Sequence, residues 1–433
     1  MKYAVRNAPF EYVSDNSSEC SPSCAFLLSE QNEMYLKDAE SKGATILLPQ
    51  ELKALWKLDA IKIIGITGTN GKTTTAAAIY SLLLDLGERV ALQGTRGFII
   101  NEERKEEKSL TTPPLLSTLY HLKQAKEEGC GYFVMEVSSH AIAQNRIEGL
   151  DFALKIYTNL TQDHLDYHGS FETYKSVKSS FFRDETLKLI NKDAKKIDFN
   201  PKNCYTYALD LPASFNILAY SLNNGITAAI KHFDEQAQFF SPMQGFFNLY
   251  NILAAISAVK LLTSHSLERI CEEVENFAGV SGRMEVVSER PLVIVDFAHT
   301  PDGMDKVLDS LKEKEISVVF GAGGERDRSK RIMMGRVANR YAKKIYLTSD
   351  NPRSEEPRSI IDQIYAGISE KEKVFIIEDR KEAISRALDE LEEGEILMIL
   401  GKGDERYQEI AGKKIPFDDR DITKKLIKEK FNT

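Results

Sequence analysis

Strand-like apolar runs and helical stretches alternate along most of the chain. Between residues 61 and 160 the order is IIGIT, TTAAAIYSLLLDLG, RVALQG, LLSTLYHLKQAKEEG, GYFVMEVSS and LKIYTNLT, which alternates strands with helices before a final pair of strands. This alternation is typical of a doubly wound, mostly parallel sheet with helices on its faces. The pattern therefore predicts a central α/β domain.

Similar patterns flank this region. Upstream, CAFLLSE, EMYLKDAESKG and ATILLP predict a small N-terminal α/β domain that Pro49 closes. Downstream, PLVIVDFAH, ISVVFGAGG, KKIYLTSDN, KVFIIED and EILMILGKG are separated by helical stretches and predict a C-terminal Rossmann-like α/β domain. We expect three domains, over residues 1–60, 61–282 and 283–433.

The stretch between about Leu187 and Phe240 has a different pattern. Short segments with alternating residues surround Asn223-Asn224-Gly225, a sequence typical of a hairpin turn, and a helix is predicted at Asn248–Leu262. We expect these strands to form a side sheet next to the central sheet.

Composition and charge narrow the classes of protein. The 433 residues are 42% hydrophobic with a formal net charge of −8, which argues against nucleic acid or an anionic membrane as the main partner. The five cysteines are odd in number and lack a second Cys or His pair for a zinc site. Without an apolar signal segment or a long apolar run, we expect a cytoplasmic monomer that binds small molecules and does not insert into membranes.

A phosphate-binding loop follows the first strand of the central domain. Gly68 and Gly71 allow successive backbone N–H groups to turn inward, Lys72 can reach the β- and γ-phosphates, and the Thr73 hydroxyl can bind Mg²⁺. The loop predicts binding of ATP or GTP. It is a variant, because Ile66 stands where the usual motif has its first glycine. The candidate nucleotide residues are Gly68, Thr69, Asn70, Gly71, Lys72, Thr73 and Thr74.

Other polar residues follow strands of the same domain, where ligands of parallel sheets bind. Glu136 is a candidate second Mg²⁺ ligand, with helix capping or a salt bridge as the alternative. Histidines and aspartates cluster in residues 162–169 and are candidates for contact with metal or phosphate. Thr111 and Thr112 lie in a loop before a helix. Their hydroxyls either cap that helix or contact a ligand. Lys178, from spacing alone, is an ordinary solvated lysine.

The last domain concentrates charged residues after its strands. Arg326, Arg328, Lys330 and Arg331 follow one strand, and the sequence Asp350-Asn351-Pro352-Arg353 follows the next. Arginine forks bind carboxylates, and Glu405 in the GKGDE sequence could pair with an ammonium group. These residues predict an amino-acid pocket, and a solvated charged rim is the alternative.

Taken together, these motifs resemble the Mur ligase family over about residues 15–420. The motifs GTNGKTT, TTPP, MEVSSHA, NLTQDHLDYHG, SGRME, AHTPD, FGAGGERD, DNPR and GKGDE occur in the family's order. The resemblance is greatest to members that add the third peptide residue to UDP-N-acetylmuramoyl-L-alanyl-D-glutamate. It implies ATP-dependent formation of an amide bond through an acyl phosphate, in cytoplasmic synthesis of peptidoglycan precursors. The three domains would bind the UDP portion, ATP and the incoming amino acid, in that order.

The resemblance also implies roles for individual residues. Catalysis would involve Lys72, Glu136, His164 and Lys178. Two Mg²⁺ ions would be held by Thr73, Glu136, His164 and Lys178, the last as a CO₂-derived carbamate. Further contacts to ATP would come from Asn251, Arg283, Asp296 and His299. The UDP-muramoyl dipeptide would contact Ser17, Thr111, Thr112, Ser138 and Arg146. The incoming meso-2,6-diaminopimelate would contact Arg326, Asn351, Pro352, Arg353, Gly401 and Glu405. Of these, Arg353 carries the choice of amino acid, because lysine has no distal carboxylate to pair with it.

Some positions depart from the family pattern. Asp404 and Phe297 replace the usual His and Tyr, and Asn16-Ser17-Ser18 lacks the usual arginine, which affects the expected uridine contacts. The alternatives are a ligase that uses L-lysine and a folylpolyglutamate-type ligase. A nucleotide-operated switch or a pure binding module would have little use for the charged cluster of the last domain.

Overall fold

The structure is a computed structural model that describes residues 1–5, 8–107, 110–223 and 225–431. Asn224 of the predicted hairpin turn lies outside the described residues. By its internal contacts the chain divides into two compact units. Unit 1 comprises Met1–Ser221, Thr227–Ser241 and Tyr250–Phe277, and unit 2 comprises Leu222–Ile226, Pro242–Leu249 and Ala278–Thr433. The division into three domains stays a prediction.

The strands and helices are numbered in chain order. The strands are β1 (Lys2–Ala4), β2 (Tyr12–Ser14), β3 (Cys24–Leu27), β4 (Thr45–Leu47), β5 (Lys62–Thr67), β6 (Val90–Gly94), β7 (Gly97–Ile100), β8 (Glu103–Glu106), β9 (Tyr132–Glu136), β10 (Phe152–Tyr157), β11 (Lys188–Asn191), β12 (Cys204–Ala208), β13 (Phe215–Ser221), β14 (Ile226–His232), β15 (Glu235–Ser241), β16 (Glu285–Glu289), β17 (Leu292–Asp296), β18 (Ile316–Phe320), β19 (Lys344–Leu347), β20 (Val374–Ile376), β21 (Ile396–Leu400), β22 (Tyr407–Ile410) and β23 (Lys413–Pro416). The α-helices are α1 (Leu36–Ser41), α2 (Pro49–Trp56), α3 (Lys72–Asp85), α4 (Leu115–Glu127), α5 (Ser139–Ala143), α6 (Leu165–His168), α7 (Phe171–Ser180), α8 (Phe246–Leu262), α9 (Leu267–Glu272), α10 (Pro301–Asp309), α11 (Ser329–Tyr341), α12 (Pro357–Tyr365), α13 (Arg380–Asp389) and α14 (Asp419–Phe431).

Unit 1 contains two sheets. The first is four-stranded, with order β1-β2-β3-β4, and the second is eleven-stranded, with order β15-β14-β13-β12-β11-β10-β5-β9-β6-β7-β8. Strand β5 lies between β9 and β10 and is parallel to both. Its Gly65 has no room for a side chain, because a Cβ there would lie 2.5 Å from the Phe152 ring. The close packing fixes β5 at the centre of the sheet.

The strands after Leu187 differ from the expected side sheet. β11 pairs in parallel with β10, and β12 continues in parallel from β11, so these strands extend the central sheet. Only from β13 to β14 does the pairing become antiparallel. Helix α7 supplies the crossover that a parallel β10–β11 pair requires. Which strand β11 pairs with depends on this tertiary connection. The alternation of apolar and polar residues within β11 does not encode it.

The four-stranded sheet shares a hydrophobic core with the central sheet. Val13, Ala25 and Leu27 belong to the same buried cluster as Leu116 and Leu119 of α4. Tyr3 stacks on Tyr120, also of α4, at 3.9 Å between ring centroids. The N-terminal α/β region therefore packs directly on the central one within unit 1.

Several short elements of unit 1 were not predicted. They include β1, β2, the β7–β8 hairpin and helix α2, which Pro49 begins at its first position. Proline is well suited to that position because its missing N–H would have no partner in the helix. The α/β region therefore does not end at Pro49 as expected. Strand β4 ends at Leu47, and helix α2 begins at Pro49.

Unit 2 is built on a six-stranded sheet with order β16-β17-β21-β18-β19-β20. Its strands are parallel except for β16, which is antiparallel to its neighbour β17. Buried side chains of α10, α11 and α12 form the core on one face, and those of α13 and α14 form the core on the other. A separate hairpin, β22–β23, follows β21. A mostly parallel sheet with helices on both faces is the Rossmann-like arrangement that the sequence predicts for this region. No described helix combines the length and apolar character needed to cross a bilayer.

An ion pair without solvent contact joins the last two helices. Arg380 donates from Nε to Asp419 Oδ1 at 2.8 Å and from Nη2 to Asp419 Oδ2 at 2.7 Å, and neither side chain is exposed. Arg380 Nη2 also donates to the Leu400 carbonyl at the end of β21. The pair therefore ties α13 and α14 to the central strand of unit 2.

We expect Asp419→Ala to lower the free energy of unfolding by about 3–5 kcal/mol, because it leaves a buried guanidinium without its counter-ion. Urea denaturation followed by circular dichroism measures the change, and hydrogen exchange of α13 and α14 locates it. The control is Glu429→Ala, which breaks an exposed pair with Lys425 and should change stability by no more than about 0.5 kcal/mol. Equal effects of the two variants would contradict the role of the buried pair.

Candidate active site

The phosphate-binding loop lies between the end of β5 and the start of α3. Thr69 N–H donates to the Asn159 carbonyl at 2.9 Å, and Asn70 N–H donates to Asn159 Oδ1 at 3.0 Å. A Cβ at Gly68 would collide with Thr158 Oγ1, so the loop approaches the end of β10 more closely than a side chain would allow. Glycine is therefore required at Gly68 by packing, and the loop is fixed in place by residues after β10.

Gly71 is the N-cap of α3 and has a left-handed backbone, φ +83°. A Cβ there would collide with Asn251 Oδ1, the atom to which the Thr75 hydroxyl donates at 3.3 Å. Lys72 donates to the carbonyls of Gly68 and Thr69 at 2.9 and 2.8 Å. The structure thus brings Asn251, expected to contact the nucleotide, against the loop itself.

Glu136 ends β9 and is almost fully buried, with 2% of its surface exposed. Thr73 Oγ1 donates to Glu136 Oε2 at 2.8 Å, and the Thr95 backbone N–H donates to Oε1 at 2.9 Å. The donors to this carboxylate among the described residues are Thr73 and Thr95, and Ser138, not Glu136, caps the helix that follows, so neither alternative role of Glu136 is seen. A hydroxyl and a carboxylate at this distance are a donor set that suits Mg²⁺, which prefers oxygen ligands.

The prediction from spacing that Lys178 is a solvated lysine is wrong, because its side chain is buried. Its side chain is 1% exposed, and its Nζ donates to the Gly68 carbonyl at 2.9 Å and to Thr67 Oγ1 at 3.3 Å. Burial lowers the pKa of the Lys178 amine well below its usual value, Lys72 adds to the shift, and Asp163 opposes it. The amine is therefore held close to the loop in a setting that favours its neutral form. Sequence spacing does not reveal this burial.

His164 lies in a group of aromatic rings between α5 and α7. Its backbone is left-handed, with φ +52°, and its Nε2 lies 3.3 Å from Asp163 Oδ2. Its ring contacts His140 at 4.9 Å and Tyr174 at 6.5 Å between centroids, and the Tyr174 ring lies 5.0 Å from Lys178 Nζ. Nearby, His168 Nε2 lies 3.0 Å from Ser139 Oγ.

The described residues contain no set of three or more His, Cys, Asp or Glu side chains placed to hold a metal ion. Mg²⁺ is commonly bound by one or two carboxylates with substrate phosphates completing its shell. The oxygen donors of Thr73 and Glu136 fit that mode.

The residues expected to contact the muramoyl dipeptide surround the end of β9. Thr112 Oγ1 donates to the Glu136 carbonyl at 2.9 Å and accepts from the Ser138 N–H at 3.0 Å. Arg146 Nη1 donates to the Thr112 carbonyl at 2.9 Å. Thr111 Oγ1 lies 3.1 Å from the Thr95 hydroxyl, which itself lies 3.4 Å from Glu136 Oε2. These residues form one connected network.

Two features of this region were outside the sequence prediction. Gln144 Oε1 accepts from Arg146 Nε at 2.9 Å, and its amide donates to the Tyr167 hydroxyl at 3.0 Å, so Gln144 orients the arginine. Thr95 contacts Glu136 from the end of β6, and its place after a strand was the only sequence feature that pointed to a role in the site.

Ser17 lies apart from this network, buried in a short 3₁₀ helix where its carbonyl accepts from Lys42. Its contact with uridine stays a prediction.

The residues expected on the nucleotide side in unit 2 surround Asp296. This buried carboxylate accepts from the N–H groups of Met284 and Ala298, both at 2.7 Å. Burial raises the pKa of the Asp296 carboxyl, and Arg283 and the two N–H groups oppose the shift. Phe297 packs its ring 4.6 Å from the Arg283 guanidinium. His299 Nδ1 lies 2.9 Å from the Phe297 carbonyl.

The motif GKGDE also meets the SGRME segment in unit 2. A Cβ at Gly282 would collide with the Asp404 backbone nitrogen, so the two segments approach each other without room for a side chain. The nucleotide contacts of Arg283, Asp296 and His299 stay predictions.

The predicted amino-acid pocket brings Asn351 and Glu405 together. Asn351 Nδ2 donates to Glu405 Oε2 at 2.8 Å, and Gly401, with φ +111°, has no room for a Cβ beside Asp350. Lys402, which sequence reasoning passed over, is fully buried and donates to Asn351, Glu405 and the Tyr407 carbonyl. This part of the cluster is a buried network, which is inconsistent with a solvated charged rim.

The two arginines of the pocket flank Gly323. A Cβ on Gly323 would lie 3.2 Å from Arg353 Nη1 and 3.7 Å from Arg326 Cγ. Arg326 is exposed, whereas Arg353 is half-buried and donates from Nη1 to the Gly324 carbonyl at 2.6 Å. Pro352 is buried, and its carbonyl packs against Gly324. All six residues predicted for diaminopimelate therefore lie around the same end of the unit 2 sheet, and their contact with that ligand stays a prediction.

Two family profiles and several named proteins match the sequence of this chain. The profile of the Mur ligase middle domain matches residues 66–259, and that of the Mur ligase, glutamate ligase domain matches residues 282–403. A protein of Wolinella succinogenes named UDP-N-acetylmuramoyl-L-alanyl-D-glutamate--2,6-diaminopimelate ligase is 55% identical over 97% of both chains. A protein of the same name from Helicobacter pylori is 50% identical over 96% of this chain and 95% of its own.

Solved structures support the fold. One of a UDP-N-acetylmuramoyl-L-alanyl-D-glutamate--2,6-diaminopimelate ligase is 31% identical, with a TM-score of 0.71 over 97% of this chain and 95% of its own. A folylpolyglutamate synthase of Mycobacterium tuberculosis has a TM-score of 0.64 at 16% identity, over 81% of this chain and 91% of its own, and shares the fold alone. The predicted α/β fold class is confirmed. With two matching domain profiles and full-length relatives at half identity or more, the chain belongs to the Mur ligase family.

Proposed function

We propose that the chain is an ATP-dependent ligase that adds meso-2,6-diaminopimelate to the D-glutamate of UDP-N-acetylmuramoyl-L-alanyl-D-glutamate. The names of the relatives at 50–55% identity support the dipeptide and the class of amino acid. The observation that carries the choice of diaminopimelate is the Arg353 guanidinium, which is bound to the Gly324 carbonyl and lies two residues along the chain from Asn351, itself a donor to the carboxylate of Glu405. A substrate with a distal carboxylate and an ammonium group complements both charges.

The first step would form an acyl phosphate. The γ-carboxylate of D-glutamate attacks the γ-phosphorus of ATP, a new O–P bond forms, and the bond to the ADP oxygen breaks. Because Asn159 accepts from the N–H groups of Thr69 and Asn70, the N–H groups where the loop enters α3, together with the Lys72 ammonium, would bind the phosphates as negative charge approaches from the carboxylate. Their position on a loop fixed by Asn159 supports this role, because donors set in place before reaction need no reorganisation.

The second step would form the amide bond. The amine of diaminopimelate attacks the acyl carbon and loses a proton, and phosphate leaves from the tetrahedral intermediate. When bound, Mg²⁺ supplies positive charge against the phosphate oxygens. Thr73 and Glu136 would hold one ion, and His164 would contribute to a second. Thr112, Ser138 and Arg146 would orient the dipeptide, a role supported by the hydrogen bonds that join Ser138 and Arg146 to Thr112 and Thr112 to the carbonyl of Glu136.

Lys178 is proposed to carry a carbamate. The neutral amine adds to the carbon of CO₂, an N–C bond forms, and one proton is released, so that a potential cation becomes an anion. The depressed pKa of Lys178 supports this reaction, because only the neutral amine has the lone pair that attacks CO₂. The carbamate oxygens would then serve the second Mg²⁺ with His164. The substrates are small molecules, and we propose that the enzyme acts as a monomer in the cytoplasm.

The reaction is tested by measuring phosphate release with ATP, Mg²⁺ and the UDP-muramoyl dipeptide. We expect turnover with meso-diaminopimelate and turnover at least about 100-fold lower in kcat/KM with lysine, since lysine does not form the two charge-assisted hydrogen bonds that a distal carboxylate makes with the Arg353 guanidinium, about 3 kcal/mol together. A reaction without an amino acid gives the background. Equal phosphate release in all three reactions would contradict the ligase proposal, and preference for lysine would contradict the role of Arg353.

The loop is tested by two glycine variants with the same backbone conformation. Gly71→Ala places a Cβ against Asn251, and we expect it to weaken binding of a non-hydrolysable ATP analogue with Mg²⁺ by at least about tenfold. Gly87→Ala, after the other end of α3, has the same φ of +83° and open space around its Cβ. It should cost about 1 kcal/mol in stability and leave nucleotide affinity unchanged. Calorimetry measures both affinities, and an equal loss would show that backbone strain, and not the approach to Asn251, is responsible.

Lys178→Ala is expected to lose about 10²-fold or more in kcat, as loss of a group that stabilises charge in the transition state does. Short carboxylic acids should restore part of the activity by replacing the carbamate. The matched control is Lys188→Ala, because Lys188 is also a fully buried lysine with a lowered pKa, and its hydrogen-bond partners among the described residues are the Thr186 and Lys202 carbonyls. Carboxylic acids should not affect that variant. Carbon-13 NMR with labelled bicarbonate detects the carbamate directly, and its absence from active wild-type enzyme would contradict the proposal.

A further inference from the structure

The hairpin formed by β22 and β23 lies against the segment that carries Arg353. The Arg353 N–H donates to the Glu409 carbonyl at 3.0 Å, and the Ala411 N–H donates to the Arg353 carbonyl at 2.7 Å. Arg353 has a left-handed backbone, with φ +54°, a conformation that costs a non-glycine residue on the order of 1 kcal/mol. The two hydrogen bonds from the hairpin hold the residue in that conformation.

The same hairpin binds the Arg353 side chain. Glu409 Oε2 lies 3.2 Å from Arg353 Nε, and on the other side Nη1 donates to the Gly324 carbonyl. An ion pair on one side and a hydrogen bond on the other therefore restrain the guanidinium. The hydrogens of Nη2 have no partner among the described residues, and the Arg353 side chain is 21% exposed. Glu409 thus occupies the Nε edge of the guanidinium and leaves the edge formed by the two terminal nitrogens for a ligand carboxylate.

Glu409 also links Arg353 to the other end of the predicted pocket. Its backbone N–H donates to Asn351 Oδ1 at 2.9 Å. Asn351 in turn donates to Glu405, the candidate partner of the substrate's ammonium group. One residue of the hairpin therefore sets the positions of a carboxylate-binding arginine and, through Asn351, of an ammonium-binding carboxylate.

We propose that Glu409 is a positioning residue that determines specificity for an amino acid with a distal carboxylate, by orienting the Arg353 guanidinium. This inference rests on the proposed function. Glu409 is not proposed to contact the substrate's carboxylate, because two carboxylates in contact would repel each other. Its effect is transmitted through Arg353 and so applies only to substrates that use this arginine.

The test compares Glu409→Ala with wild type on two amino acids that differ in the distal carboxylate. With meso-diaminopimelate we expect KM to rise about three- to tenfold, the range of a half-exposed ion pair plus lost preorganisation, and kcat to stay within about twofold. KM for ATP should not change. With L-lysine, which lacks that carboxylate, kcat/KM should not change. Glu409→Gln keeps the size and polarity of the side chain but removes the charge of the ion pair, so its KM should lie between those of wild type and Glu409→Ala.

A double-mutant cycle with Arg353→Ala identifies the route of the effect. In the Arg353→Ala background, Glu409→Ala should have no further effect on KM for diaminopimelate. Lys413→Gln is the matched control, because it removes one charge from the same hairpin at an exposed position. It should behave as wild type. Thermal unfolding of each variant checks that the hairpin change leaves the fold intact.

Each other outcome has a distinct meaning. A lower KM for diaminopimelate in Glu409→Ala would show that Glu409 competes with the substrate for Arg353 and would overturn the proposal. An equal loss with lysine, or a loss that persists without Arg353, would also overturn it. Failure of the wild-type enzyme to turn over diaminopimelate would refute the proposed function instead. Calorimetric titration of diaminopimelate into wild type and Glu409→Ala would then decide the role of Glu409, since equal affinities or no binding would refute it.

Discussion

The position of β5 between β9 and β10 is the constraint on which the site of unit 1 depends. Because the three strands are parallel, their carboxyl ends lie at one edge of the sheet, and the residues that follow them come into contact. The phosphate-binding loop follows β5, Glu136 ends β9, and Thr158 with Asn159 follows β10. Glycine at positions 65 and 68 permits the close packing that keeps the three ends together. Without it, the loop would move away from the residues that fix its N–H groups.

The two candidate sites are built by different physical means. In unit 1, backbone groups and close approach dominate, and the buried Lys178 is bound to a carbonyl of the loop itself. In unit 2, side-chain charge dominates, and Lys402, which has no contact with solvent, donates to both Glu405 and Asn351. A buried ion network of this kind fixes geometry more than it adds stability, because desolvation offsets much of the attraction. Precise placement of charges is what selection between similar amino acids requires.

The sequence predicts the parts of this structure that local pattern encodes. The strand, loop and helix of residues 61–87 can be predicted because hydrophobic period, glycine position and capping all agree over one continuous segment. The short strands β1 and β2 cannot, since three residues are too few to show a period. The joining of β11 to β10 depends on which edge is open in the folded sheet. Burial of Lys178 and Lys402, the hydrogen bond from Gln144 to Tyr167 and the ion pair of Glu409 with Arg353 come from residues far apart in sequence or from tertiary packing, so spacing gives no signal for them.

The shared core between the four-stranded sheet and α4 has a mechanical consequence for unit 1. Tyr3, Val13 and Leu27 pack into the same apolar cluster as α4, the helix that follows Thr111 and Thr112. The first 60 residues therefore cannot swing or be removed as a hinged module without opening that cluster to water. A displacement of the N-terminal sheet would therefore also displace α4, and with it Thr111 and Thr112 near Glu136.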